Sequence, residues 1–194
     1  MTDDTAPAAL FAWLDREIWL LTAQADGRRG GLIATFVSEA SIAPDLPRMV
    51  VGLAKQHHTW GLVEASGAFA LHLLGEDRLD WVWRFGLKSG RTGDKFEGLE
   101  VRTVATGSPI LGGAVGWLDC RVETRLDSGD RTIYLAEVLQ SEVTHFGPPL
   151  TLKHLLRSAP PDRLRELKRQ RYLDAGVDAD AIRAWRAARG KDAP

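Results

Sequence analysis

Cysteine is almost missing from this 194-residue sequence, in which Cys120 is the only one. A single thiol cannot form a disulfide bond within the chain, so the fold does not depend on an oxidising compartment. Cys120 lies in the strand-like run 115–126, a setting typical of a buried structural cysteine rather than a redox thiol.

An excess of charge of either sign is missing too, because 25 basic side chains face 26 acidic ones and the net charge is −1. This balance argues against a broad nucleic-acid-binding surface and against a polybasic membrane surface. No apolar run approaches the length of a membrane span, and residues 1–4 lack the basic start and apolar core of a signal peptide. We therefore expect a cytoplasmic protein with no nucleic-acid or membrane partner.

A metal-ligand pattern is also absent. His57 and His58 are adjacent, and neighbouring side chains diverge on a strand or a helix. No third ligand follows at a spacing typical of zinc sites, so the sequence predicts no metal.

Short strands and tight turns dominate the first three quarters of the chain. The pattern predicts strands over 18–23, 32–37, 49–54, 69–74, 114–126 and 131–143, and helices over 59–67 and 77–85, the first capped by Thr59. The first two strands form a hairpin around the glycine-rich segment 26–31, without the crossover helix that a parallel sheet needs. A mainly β fold follows, a Greek-key β-barrel with inserted helices.

The composition changes after Pro148 and Pro149, where helical segments replace strands. We therefore divide the chain into a barrel domain over 1–149 and a helical C-terminal extension over 150–194. Helices are predicted near 151–157, over 161–173 and over 178–189, with Asp178 as the N-cap of the last. Their narrow apolar stripes need a partner surface, either the barrel or a second subunit.

Three polar segments carry chemistry that suits a phosphorylated or flat cofactor. Hydroxyl groups at Thr35, Ser38 and Ser41 follow a strand and can hold a phosphate or the polar rim of a flavin ring. The segment 55–59 opens a helix, whose free N–H groups attract anions. The segment 89–95 offers glycine, arginine and lysine for another anion contact. Each has a plainer alternative: a common strand-end loop, an ordinary helix cap and a solvated loop.

The order of these segments resembles the flavin-reductase-like family, whose members share an FMN-binding split barrel. In that family a glycine turn leads to a strand and a Thr/Ser-rich loop ending in proline, here 30–44. A VxVxLA strand with a polar-Thr helix start, an SGxFALHLL segment and a KF pair come next, here 49–59, 66–74 and 95–96. The motifs GxPxL, LxCRV and GDHxIxxGEV match 107–111, 118–122 and 129–138. The resemblance covers about residues 15–145.

The resemblance implies a homodimer that binds FMN between its subunits, with FAD as the alternative flavin. It implies reduction of the flavin by NADH or NADPH and a flavin-dependent monooxygenase as a partner. The positions carried over for the flavin ring and its ribityl chain are Thr35, Phe36, Val37, Ser38 and Ser41. Those for the phosphate are Lys55, His58 and Thr59, with Ser89, Gly90, Arg91 and Lys95 as further contacts.

Arg131 stands where this family usually has a histidine after Gly-Asp. Arginine does not exchange protons near neutral pH, but it can pair with a dinucleotide phosphate or a reduced flavin, so Arg131 is our candidate catalytic residue. The alternative is a simple hairpin residue. Ile33, Phe36 and Glu39 also replace small hydroxyl residues of the family pattern. Two rival functions therefore stay open: a non-catalytic flavin carrier or redox sensor, and an oxidase of the related pyridoxamine-phosphate-oxidase barrels.

Overall fold

The computed structural model describes residues 6–88, 90 and 93–190, apart from the side chains of Ala6 and Ala8. The strands of this part of the chain are β1 (Trp19–Ala25), β2 (Arg28–Ala34), β3 (Val37–Glu39), β4 (Arg48–Ala54), β5 (Ala68–Leu73), β6 (Val101–Arg102), β7 (Ile110–Leu111), β8 (Gly116–Asp127) and β9 (Arg131–Val143). The helices are α1 (Ala6–Trp13), α2 (His58–Ser66), α3 (Leu79–Gly86), α4 (Leu152–Ser158) and α5 (Pro161–Arg189).

Seven of these strands form one antiparallel sheet in the order β2-β1-β5-β8-β9-β4-β3, and β6 pairs with β7 separately. The β1–β2 hairpin turns on Asp26 and Gly27, both with positive φ (51° and 71°), as a tight two-residue turn requires. The predicted return strand 32–37 is interrupted, because Thr35 and Phe36 separate β2 from β3.

This interruption forces the sheet to curl. The strands β2 and β3 lie at opposite edges of the sheet, yet only Thr35 and Phe36 connect them. A flat seven-stranded sheet would hold its edge strands roughly 29 Å apart at a spacing of about 4.8 Å. Three Cα–Cα steps reach at most about 11 Å. The sheet must therefore curl until its edges meet at Thr35 and Phe36, a point we call the seam.

The long β8–β9 hairpin contributes to this curvature. Its register shifts between Asp119 and Cys120 and again between Val122 and Thr124. Such bulges bend a strand and increase its twist. The result is a curled half-barrel with inserted helices, which confirms the predicted fold class.

The core has two main parts. One fills the barrel and includes Leu21, Val51, Phe69 and Cys120. Cys120 is fully buried in β8, as predicted, and burial raises the pKa of its thiol. The other part lies between the sheet and the helices and includes Phe85, Phe96, Trp81, Leu150 and Leu155. Leu150 and Leu155 thus join the predicted extension to the core, and the boundary at 149/150 stays a prediction.

The C-terminal extension departs from the sequence analysis at one point. The predicted break between residues 173 and 178 was wrong, because α5 runs unbroken from Pro161 to Arg189. A single interior glycine such as Gly176 costs a helix only about 1 kcal/mol, which its neighbours offset. Asp178 is consequently a mid-helix residue and not an N-cap. None of the helices in the described part of the chain is long and apolar enough to span a membrane.

Helix α5 packs on the β8–β9 turn through Trp185. Gly129 in that turn has φ of +95°, and a Cβ added there would come within 2.7 Å of the Trp185 Cβ. Only glycine combines this backbone conformation with this close approach.

A buried histidine connects β5 to its neighbours. His72 is fully buried; its Nε2 accepts a hydrogen bond from the Leu111 N–H (3.0 Å), so its Nδ1 carries the proton and donates to the Leu20 carbonyl (3.1 Å). Both nitrogens are satisfied by a neutral ring. Burial lowers the pKa of His72 to about 4.

We predict that the free energy of unfolding falls as the pH drops from 6.5 towards 4, because the unfolded His72 takes up a proton that the folded ring excludes. The loss attributable to this residue is about 3 kcal/mol across that range. Urea unfolding at pH steps from 4 to 7 measures it. The H72Q variant should show a shallower pH dependence than wild type, whereas H145Q, which removes an exposed histidine, should not. An H72Q slope equal to the wild-type slope would contradict this account.

Candidate functional site

Phe36 forms the exposed side of the seam. Its carbonyl accepts a hydrogen bond from the Gly52 N–H (2.8 Å), which holds the connection against β4. Gly52 allows this approach, since a Cβ there would lie 3.3 Å from the Phe36 Cβ. The Phe36 side chain is 50% exposed, and two arginines contact its ring, with the Arg131 Cζ 4.6 Å and the Arg16 Cζ 5.5 Å from the ring centroid. Cations over an aromatic face attract its π electrons and hold the ring in place.

Arg131 is bound on its other side by two carboxylates. Its Nε lies 2.9 Å from the Asp130 Oδ2, and its Nη2 lies 2.5 Å from the Asp178 Oδ2 of α5. Asp178 also accepts a hydrogen bond from the Gln56 Nε2 (3.0 Å). The structure therefore places Arg131 beside Phe36 but with its positive charge already balanced.

A second group of predicted residues meets around two glycines. A Cβ added to Gly30 would lie 3.1 Å from the Thr59 Oγ1 and 3.4 Å from the His58 Cδ2. A Cβ added to Gly90 would lie 3.1 Å from the same His58 atom and 3.9 Å from the Lys95 Cε. The structure thus brings His58, Thr59, Gly90 and Lys95 close together.

The role predicted for Thr59 as a helix cap was wrong. Helix α2 begins at His58 and its N-cap position is His57, whose side chain makes no capping hydrogen bond within the described residues. Thr59 falls in the first turn and is buried, facing β2. The helix start is therefore held by packing against the glycines rather than by a hydroxyl cap.

Lys95 is buried, with an ammonium group that faces backbone oxygen atoms. Its Nζ donates to the carbonyls of Gly31 (2.9 Å) and Phe85 (2.8 Å), and so joins β2 to the end of α3. Burial lowers the pKa of Lys95 to about 8. Lys95 also borders a cavity of about 970 Å³, whose wall is completed by Asp80, Trp83, Arg84, Leu87, Lys88, Gly93, Asp94, Glu97, Arg163 and Glu166.

The pKa of His57 depends on charged residues from both groups. Burial lowers its pKa, the charges of Arg131 and Lys95 lower it further, and Asp174 and Asp178 oppose the shift. Sequence reasoning considered His57 only as a metal ligand and Asp178 only as a cap. Asp178 contacts Arg131, which is 47 residues away along the chain, and Gln56, which is 122 residues away, and no local pattern signals such contacts.

Other predicted residues lie outside these two groups. Ser38 is exposed on β3 and donates to the Glu39 carbonyl (3.1 Å), while the Ser41 Oγ accepts from the Ala43 N–H (3.2 Å). Ser41 borders a separate cavity of about 470 Å³ together with Trp19, Ile42, Pro44, Met49, Leu118 and Val138. The Lys55 Nζ pairs with the Asp127 Oδ1 at 2.6 Å. Val37 pairs with Val51, and Thr35 is half-buried at the seam. Ser89 and Arg91 lie outside the described residues.

Known proteins resemble this chain over most of its length. The family model described as "Flavin reductase like domain" matches residues 12–155. The chain is 29% identical to the ferric-chelate reductase (NAD(P)H) of Archaeoglobus fulgidus over 150 residues, covering 75% of this chain and 88% of the relative. It is 29% identical over 169 residues to the reductase subunit HsaB of a flavin-dependent monooxygenase from Rhodococcus jostii, covering 87% and 84%. It spans only 22% of the diflavin flavoprotein A 1 of Synechocystis, to which it is 32% identical over 127 residues.

Solved structures share the fold. A flavin reductase domain protein from Arthrobacter sp. FB24 superposes with a TM-score of 0.66 at 26% identity, covering 75% of this chain and 88% of that one. The nitrilotriacetate monooxygenase component B homologue from Mycobacterium thermoresistibile gives 0.64 at 23% identity, covering 82% and 90%. Helix α5 begins after the end of the family match. Because that match covers most of the chain, including the seam, Gly30, Gly90 and Arg131, the chain belongs to the flavin reductase-like family.

Proposed function

We propose that this protein is an NAD(P)H-dependent flavin reductase, which transfers a hydride from a reduced nicotinamide dinucleotide to FMN. The family match across the whole barrel is the observation that carries the proposal. Two relatives of similar length support it, since one is named as a reductase that uses NAD(P)H and the other as the reductase subunit of a flavin-dependent monooxygenase.

The residues at the seam suit a flavin ring. Flavin supplies the hydride acceptor when it is bound, and the protein supplies an apolar wall, hydrogen-bond donors and exclusion of water. Phe36 offers a half-exposed aromatic ring and Val37 an apolar side chain. Thr35 on the connection, Ser38 on β3 and Ser41 on the loop that follows offer hydroxyl groups. In our proposal these residues hold the ring and its ribityl chain.

The residues around Gly30 and Gly90 could bind a phosphate group. Gly30 and Gly90 leave space that a Cβ would fill, next to His58, Thr59 and the buried Lys95. The N-terminus of α2 adds a positive partial charge. In our proposal this group binds the FMN phosphate, with Lys55, Ser89 and Arg91 as further cationic or polar contacts, and FAD is the alternative flavin.

We also propose that the flavin lies between two copies of the chain. Large apolar side chains are exposed on the segment after the seam, including Ile42 (97%) and Leu46 (64%). Exposed apolar groups that cluster beside a site mark interaction surfaces more often than chance. The proposed assembly is a cytoplasmic homodimer that supplies reduced flavin to a partner monooxygenase.

A second function is favoured by one observation. Arg131 replaces the family's histidine and is bound by Asp130 and Asp178, so it has no free charge to offer a dinucleotide phosphate in this conformation. A flavin carrier or redox sensor without turnover needs only the binding half of the site. The following experiment separates the two functions.

We expect the purified protein to bind FMN, and the yellow colour of the bound flavin to bleach within seconds of adding NADH or NADPH without oxygen. Stopped-flow absorbance with each dinucleotide measures the rate and the preference. Bleaching by dithionite but by neither dinucleotide would contradict the reductase proposal and support the carrier. A protein that binds no flavin would contradict both.

Removal of the Phe36 ring should weaken FMN binding about tenfold, the equivalent of about 1.4 kcal/mol for a lost aromatic contact. Titration of FMN fluorescence with the F36A variant measures the dissociation constant. The matched control is F146A, which removes an exposed phenylalanine away from both groups and should bind FMN as wild type does. Equal affinity of F36A and wild type would remove Phe36 from the site.

Light scattering should give a solution mass of twice 21.3 kDa. The I42D variant should shift the mass towards the monomer, because a buried unpaired carboxylate opposes an apolar interface. The control L126D changes another exposed apolar residue, on β8, and should leave the mass unchanged. A monomeric wild-type protein would contradict the proposed dimer.

A further inference from the structure

Asp178 is the contact through which α5 reaches the seam. Its carboxylate bonds Arg131 on β9 and Gln56 ahead of α2, and its side chain is 15% exposed. Burial raises the pKa of Asp178, and the guanidinium of Arg131 opposes that rise. A carboxylate this enclosed needs its partners, because an unpaired buried charge is strongly unfavourable.

The helix that carries Asp178 has a second contact with the β8–β9 hairpin besides this ion pair. Trp185 packs on Gly129 seven residues further along α5, which is about two helical turns. Arg131 lies just past the same β-turn. The two contacts together set the height and the rotation of α5 over the end of the β8–β9 hairpin, so the Asp178 carboxylate meets the guanidinium in one orientation.

On its other side Arg131 contacts the ring of Phe36. The guanidinium is planar and its donors point outwards in a fixed fork, so two carboxylates that bind its edge determine where its face lies. That face lies over Phe36, with the Cζ 4.6 Å from the ring centroid. Asp178, Arg131 and Phe36 therefore form a continuous chain of contacts from α5 to the seam.

We propose that Asp178 is a positioning residue of the flavin site, which acts by holding the Arg131 guanidinium over the Phe36 ring. The inference rests on the proposed function, since it assumes that flavin contacts the seam. It goes beyond the family match, because α5 lies outside residues 12–155. It makes the C-terminal helix part of the cofactor site.

The test compares D178N with wild type in the full-length protein. Asparagine keeps the size of the side chain but loses the charge, so Arg131 keeps its ion pair with Asp130 and loses the charge-assisted bond at Nη2. We expect the dissociation constants of FMN and of riboflavin to rise by the same factor, about tenfold, as for loss of one charge-assisted hydrogen bond. The factors should match because Phe36 faces the ring that both flavins share. The D178E variant should recover most of the affinity.

The matched control is D180N on the same helix. Asp180 is 82% exposed, and among the described residues its ion pair is with Arg183, one turn away. D180N should therefore bind both flavins within a factor of about two of wild type, as expected for an exposed pair. Thermal unfolding of each variant separates loss of the fold from loss of positioning.

A readout that needs no flavin accompanies the titration. In ¹⁵N-detected spectra the Arg131 Nε–H signal, assigned with R131K, should shift in D178N and stay in place in D180N. Unchanged flavin binding by D178N would overturn the inference while leaving the proposed function intact. Tighter FMN binding with unchanged riboflavin binding would also overturn it, because Asp178 would then act only by repelling the phosphate. A wild-type protein that binds no flavin would overturn the proposed function and this inference together.

Discussion

The two-residue connection between β2 and β3 is the constraint on which the structure depends. These strands are the first and last of the seven-stranded sheet, and Thr35 with Phe36 must bridge them. A sheet of this width can satisfy so short a link only by curling until its edges meet. The bulges in β8 and β9 provide bending, and the glycines of β2 let α2 and α3 pack closely on the curled face.

Curling of the sheet also brings the candidate site residues close together. The seam brings Phe36 beside Arg131, although β9 is separated from it by about a hundred residues. The curled face of β2 meets the start of α2 and the buried Lys95. Polar groups that a flat sheet would scatter thus lie on one side of the molecule. Helix α5 then covers this side through Asp178 and Trp185, both contributed by a segment outside the family match.

The sequence was sufficient for the sheet but not for the contacts that α5 makes. Alternating apolar residues predicted β9 over 131–143 with its observed bounds, and the motif order predicted the barrel. Asp178 suggested the N-cap of a separate helix, yet α5 continues through it, and the modest propensity cost of the nearby Gly176 does not end a helix whose flanks are stable. Thr59 looked like a cap but is buried against Gly30.

The partners of Arg131 and Lys95 could not be predicted from the sequence, and the reason is the same for both. Both form contacts set by tertiary packing: Arg131 with a carboxylate 47 residues away and Lys95 with a carbonyl 64 residues away. The sequence shows which residues are charged, but not which of those charges are paired after folding. The site therefore emerged from sequence as a set of polar segments. The structure divides that set into the seam, a group around Gly30 and Gly90, and residues outside both.

The central claim is that flavin binds where the edges of the sheet meet. A crystal structure of the protein grown with FMN tests it most directly. The account predicts density for the isoalloxazine ring in contact with Thr35 and Phe36, with the phosphate next to His58 and Gly90. Density for the ring in the cavity between α3 and α5, away from the seam, would contradict it.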